Sequence, residues 1–219
     1  MTKKMIIIMN SLILKIDQII EERSLLKHPF YQTWSEGKLT QDALAGYSKE
    51  YYQMVKAIPR FMTPLLDTAP ESMYDELDFN QNEETDHIKL WIKFANALGV
   101  PAYDLESYNG LEKTTMAIEG LFSIMYSFDT GSAAMYALEK EIPKISKTKL
   151  EGLAEYYGLT SFDATVYLKQ HTEADIRHAQ SWENAIDASS KDEQTILNAA
   201  NNSLVCQNLL LDGCFETYC

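Results

Sequence analysis

The segment QHTEADIRHAQSWE, residues 170–183, places His171, Asp175 and His178 within eight residues. On a helix each residue advances about 100°, so Asp175 lies about 40° and His178 about 20° from His171, on one face. Tyr167, Ala174 and Trp182 share that face, which makes it the inward one, while Glu173 points away and pairs with Arg177 at i, i+4. Two imidazoles and a carboxylate on a buried seam cost several kcal/mol unless something satisfies them. A cation does so with one atom; hydrogen-bonded core polar groups are the alternative.

A second cluster, NEETDH, offers Glu84 and His87 at i, i+3 and Glu83 and His87 at i, i+4. Glu-x-x-His is the spacing with which one helix presents two ligands in di-iron carboxylate bundles. Leu90, Trp91 and Phe94 follow and put His87 on the buried side. Glu139 continues an apolar stripe from Met135 and Tyr136 to Ile142 and Pro143. It reads as a bridging ligand or as a buried partner of Lys144, whereas Glu141 reads as solvated. Of the four histidines only His28, before Pro29, stands apart from acids on an apolar helix face. Mixed oxygen and imidazole donors suit iron or manganese; structural zinc would enlist cysteine.

Elements long enough to carry these residues are all helical. The 219 residues hold nine Gly and six Pro at 46% hydrophobic content, which predicts one domain over 1–219 built of long helices and short turns. The first helix is expected from near Met9, after an extension over 1–9. A second runs through the segment with Pro59 as a kink and Pro64 near its end, and a third lies between Pro70 and Gly99. Ser161 caps one long helix holding the 170–183 segment, and a tail is expected over about 211–219. The fold class is therefore all-α, a compact bundle of seven to eight helices whose sites are built in the core.

The net charge of −13 excludes nucleic acid as a partner. No apolar run approaches the roughly 18 residues a membrane span needs, and Asn10, Ser11, Lys15 and Asp17 interrupt the signal-like start. Cys206, Cys214 and Cys219 fall in the last fourteen residues, where they cannot staple the body, so a reducing, cytoplasmic setting is expected.

HPFYQTWSEGKLT, YSKEYYQMVKAIPRF, HIKLW, ALEKEIPKI, GLAEYYGL and HTEADIRHA, in this order, resemble the family of the chlamydial protein associating with death domains. That family lies among the heme-oxygenase-like dimetal oxidases, near the thiaminase II and pyrroloquinoline quinone synthesis C groups. The resemblance implies a heme-oxygenase-like bundle and oxygen-dependent formation of p-aminobenzoate for folate synthesis. It further implies two divalent ions, iron or manganese, with O2 and an external reductant. The enzyme would consume its own tyrosine, matching Tyr31, and take nitrogen from a lysine, matching Lys149, with Tyr47 a neighbour in electron transfer. The implied metal ligands are Glu139, His171, Asp175, His178, His87 and one third-helix acid. The family glutamate position is Asn80 here, so Glu84 is preferred, then Glu83, with Asp78 also available. A homodimer is implied, and host death-domain proteins are possible partners. A death-domain-binding module and a metal-free quinone-synthesis-type oxidase stand as the alternative functions.

Overall fold

The computed structural model describes the backbone of residues 3–219 and the side chains of residues 12–219. After α1 (Lys3–Glu22) and a 3-10 turn come α2 (Pro29–Ser35), α3 (Gln41–Leu66), α4 (Glu71–Ala97) and α5 (Ala102–Ser107). They are followed by α6 (Glu112–Ile124), α7 (Phe128–Glu139), α8 (Ile142–Glu155), α9 (Phe162–His171), α10 (Ala174–Asp187) and α11 (Glu193–Tyr218). No strand occurs among the described residues. The count exceeds the expected seven or eight because α2 and α5 are short extra segments and the helix expected from Ser161 is two.

Local chemistry sets these boundaries. Thr40 Oγ1 accepts from the Ala43 amide at 3.1 Å to start α3, and Ser161 Oγ accepts from Ala164 at 3.2 Å to start α9. Helix α3 passes through both Pro59 and Pro64. The Pro59 carbonyl is taken up by Gln81 Nε2 at 2.7 Å, which ties α3 to α4.

Between α9 and α10 the chain tightens: Thr172 and Glu173 amides reach back three residues, to Lys169 and Gln170. The Thr172 hydroxyl also donates to the Lys169 carbonyl at 2.7 Å, competing with the helical ladder. Glu173 departs from helical geometry with φ −118°. The single helical wheel drawn through His171 and Asp175 therefore does not hold, although all three residues remain buried.

Two expected ends also change. Helix α1 begins at Lys3, ahead of Met9, and the segment over 211–219 continues α11 rather than forming a tail. Leu210, Leu211 and Cys214 are buried, so this last stretch has an apolar face to pack. Its end is latched by Glu50, a fully buried carboxylate on α3. Glu50 accepts from Thr114 Oγ1 at 2.6 Å, Leu111 N at 3.0 Å, Tyr218 Oη at 3.1 Å and the Tyr108 hydroxyl. Glu50→Ala leaves these donors without an acceptor and should lower unfolding free energy by about 3 kcal/mol, read from urea denaturation.

The core centres on α7, every residue of which from Gly131 to Glu139 is buried. Gly131 has no room for a β-carbon, which would run into the Leu65 side chain of α3. Helix α4 faces this core with Leu77, Asn80, Glu84, His87, Trp91 and Phe94. Their spacing alternates three and four residues, so three polar groups occupy the stripe that Leu77, Trp91 and Phe94 define as inward. No helix among the described residues is long and apolar enough to cross a membrane.

Candidate metal centre

Helices α4, α7, α9 and α10 bring six titratable side chains together: Glu84, His87, Glu139, His171, Asp175 and His178, each at most 4% exposed. Two groups have ligand atoms within 4.8 Å of one another: Glu84 with His87 and His171, and Glu84 with Asp175 and His178. Glu84 belongs to both. Its Oε1 lies 3.2 Å from His87 Nδ1 and 3.3 Å from His178 Nδ1. Asp175 Oδ1 is 3.6 Å and Glu139 Oε2 3.9 Å from that same His178 nitrogen. The geometry gives Glu84 the shared position; Glu139 sits at the edge of the second group and accepts from Trp182 Nε1 at 2.8 Å, not from Lys144.

Four buried side-chain atoms among the described residues lack a hydrogen-bond partner, and three are here: His87 Nδ1, His178 Nδ1 and Asp175 Oδ2. Such orphans are rare in native interiors. The two imidazole nitrogens approach Glu84 closely, at 3.2 and 3.3 Å, yet out of line for hydrogen bonding. His171 Nδ1 is engaged by the Tyr167 carbonyl at 2.8 Å, which fixes the ring and leaves Nε2 free. Donor types, burial and orphaned atoms fit divalent cations.

Electrostatics agree. Burial pushes Glu139 up to about 8, with the charge of Glu84 adding to it. Asp175 is raised by burial and then by Glu84, whereas burial lowers His171 to about 4. Burial also opposes charge on Glu84, but His178 and His87 hold that carboxyl well below the usual range. His178 rises to about 9 because Glu84 and Glu139 outweigh its burial. Three carboxyl groups compete for too little positive charge, a deficit that cations remove.

Other expectations are corrected. Glu83 bonds His178 through the opposite nitrogen, Nε2, at 3.1 Å, and is held by Arg177 Nη2 at 2.6 Å. Arg177 therefore pairs with Glu83 rather than with exposed Glu173, and Glu83 orients a candidate ligand from behind. Glu83→Gln is expected to weaken metal binding by about 10- to 100-fold without abolishing it, measured by competition with a metal indicator. Asp78 accepts from Asn82 at 3.3 Å and is not drawn into the cluster. Asn80 is buried and faces Ser181 and Arg177, each at 3.5 Å. Glu141 is not solvated: it accepts from the Ser24 hydroxyl and from Leu25 N at 3.0 Å, which anchors the turn before α2.

A second buried constellation joins α2, α3 and α8. Tyr31 and Tyr47 hydroxyls are 3.0 Å apart, and Lys149 Nζ donates to Tyr47 Oη at 2.6 Å. The ammonium lies 5.0, 4.9 and 4.8 Å from the ring centroids of Tyr31, Tyr47 and Tyr51, and 5.9 Å from that of Trp34. Gly152 makes room for Trp34, whose indole would meet any β-carbon there at 2.8 Å. Burial lowers Lys149 to about 7, so it is partly neutral at neutral pH. Burial likewise raises Tyr31 and Tyr47 well above the ordinary phenol value.

Tyr51 separates the two constellations. A small cavity lined by Tyr31, Tyr51 and Leu138 lies on one side; another lined by Tyr51, Leu138, Glu84, Glu139, His171 and Asp175 lies on the other. Tyr51 is not among the site residues expected from the sequence. Its place four residues after Tyr47, on the same helix face, is the signal that points to it.

Residues 13–203 match the model of the TENA/THI-4/PQQC family. The chain belongs to that family. A 4-aminobenzoate synthase of Chlamydia muridarum is 35% identical, covering 82% of this chain and 79% of its own length. A 4-aminobenzoate synthase of Nitrosomonas europaea is 32% identical, covering 94% and 91%. Among solved structures, a domain of unknown function with a heme oxygenase-like fold from Shewanella denitrificans superposes with a TM-score of 0.77 at 18% identity, covering 95% of this chain and 90% of its own. The bundle is thus heme-oxygenase-like.

Proposed function

We propose that the protein is an oxygen-dependent 4-aminobenzoate synthase that consumes its own Tyr31 as ring source and Lys149 as nitrogen donor. The observation that carries this reading is the sealed contact of Tyr31, Tyr47 and Lys149, one residue layer from a centre suited to divalent metal. Two relatives named 4-aminobenzoate synthase, at 32% and 35% identity over most of the chain, supply the product.

Glu84, His87 and His171 would hold one ion and Glu84, Asp175 and His178 the other, with Glu139 beside the second. Iron or manganese bound there would supply the activation of O2, with an external reductant providing electrons. The remaining work belongs to the chain. Tyr47 holds the Lys149 nitrogen 2.6 Å from its oxygen and the Tyr31 hydroxyl at 3.0 Å, so amine and phenol are positioned by one residue. The lowered basicity of Lys149 supplies a free amine for nitrogen transfer, since an ammonium has no lone pair to give. Phe30, stacked on Tyr47 with centroids 5.0 Å apart, and Trp34 close the chamber against water.

The test is product formation by protein loaded with iron or manganese without oxygen, then exposed to O2 and reductant. Wild type should yield 4-aminobenzoate, and Tyr31→Phe should yield none while retaining its metal. Equal product from both proteins would remove Tyr31 from the reaction.

A further inference from the structure

A recess remains that the reaction does not use. Helices α3 and α6 enclose a groove of about 480 Å3 whose lining shares no residue with the metal centre or the Lys149 chamber. It lies apart from the buried acids, so the chemistry above gives it no role. Lys56 and Arg60, one helical turn apart on α3, both line it. Neither has a carboxylate within 4.0 Å among the described residues. In a chain with 32 acids to 19 bases, two adjacent cations line one recess, held over the rings of Tyr52 and Phe122 with no carboxylate in salt-bridge contact, which leaves their charge open to an anion. Burial and then the charge of Arg60 hold the Lys56 ammonium below its ordinary pKa, with Glu106 opposing them only in part, so an anion between the two cations would offset their repulsion.

The opposite wall is aromatic. The Arg60 guanidinium lies over the Phe122 ring, 5.9 Å from its centroid, and Tyr126 meets Phe122 edge-on at 5.7 Å. Gln53 is fixed in the lining by its bond to the Tyr108 carbonyl at 2.9 Å. Glu119, also in the lining, offers an acceptor to an amino substituent. Inorganic phosphate would satisfy the cations and leave the rings in water; a neutral arene would do the reverse. The volume lies within the range of small-molecule sites.

We propose that this groove binds a small aromatic carboxylate, its carboxylate on Lys56 and Arg60 and its ring against Phe122 and Tyr126. The proposal does not rest on the reaction at the buried centre. It is tested by isothermal titration calorimetry of the full chain with benzoate, 4-aminobenzoate, acetate and inorganic phosphate. Tyr31→Phe protein is used, so that no product forms in the cell. The two aromatic carboxylates should saturate one site per chain, with acetate and phosphate at least about tenfold weaker. Arg60→Gln and Lys56→Gln should each weaken benzoate by about tenfold or more, with unchanged melting temperatures showing that the fold persists. Absence of binding by either aromatic acid, equal affinity for phosphate, or benzoate binding insensitive to Arg60→Gln would each overturn the site.

Discussion

Glu84→Gln is expected to strip the protein of both divalent ions at once. Glu84 is the carboxylate common to the two groups that can hold a cation, and its Oε1 lies 3.2 and 3.3 Å from the nitrogens of His87 and His178. Gln preserves the shape but removes the charge that both groups share. Metal affinity should fall by more than about 100-fold, beyond what loss of an outer partner costs. His171→Ala and His178→Ala, in contrast, should each loosen the group to which the residue belongs. Metal content by mass spectrometry after anaerobic loading, together with the rise in melting temperature on adding Mn2+, reads the difference. A bound ion raises stability by about 2.7 kcal/mol at a concentration 100 times its Kd, so an unshifted Glu84→Gln melt alongside a shifted wild type is the expected pattern. Undiminished binding by Glu84→Gln would move the shared position to Glu139.

Lys149→Met is expected to stabilise the fold and abolish product. The amine is buried, with rings rather than a carboxylate around it, and burial lowers its pKa from 10.5 to about 7. Between those values the unfolded chain carries a proton that the folded chain does not, so wild-type stability rises with pH across this window and the charged-state penalty is full below pH 7. At about 1.4 kcal/mol per pKa unit, the penalty reaches a ceiling of about 5 kcal/mol near pH 6. Met fills the same volume without charge, so the variant should melt higher at pH 6, by roughly 2–4 °C for each kcal/mol gained. Its advantage should shrink steadily as pH rises toward 10. A variant less stable than wild type at pH 6 would mean that the contact with Tyr47 outweighs the cost of burying the amine. Residues kept at a cost in stability are the mark of sites under functional selection.

The helical bundle was legible because apolar residues recur at helical spacing and the caps at Thr40 and Ser161 are chemically explicit. The six candidate donors were legible for a related reason: a charged residue within an apolar stripe has to be explained. The α4 stripe 77-80-84-87-91-94 would have separated Glu84 from Glu83 outright, since only Glu84 falls on it. What could not be read was set by contacts distant in sequence. Arg177 leaves its helical neighbour Glu173 for Glu83, 94 residues away, because Glu83 also bonds His178. The break before Ala174 depends on a hydroxyl–carbonyl bond at Thr172 that helical periodicity does not register. Glu141 looked solvated because its partners, Ser24 and Leu25, come from a turn more than 100 residues earlier. Tyr31 and Lys149 carry no local signature at all; among thirteen tyrosines, only the resemblance and then the fold set this one apart.

If Tyr31 is the ring source, the product ring carries the isotope of the protein's own tyrosine. Protein produced with ring-13C tyrosine, purified, loaded with metal and exposed to O2 and reductant in unlabelled buffer decides it. The expected result is 4-aminobenzoate with a fully labelled ring, at no more than one molecule per chain, and a matching loss of side-chain mass at Tyr31. Unlabelled 4-aminobenzoate from a chain of unchanged mass would contradict it.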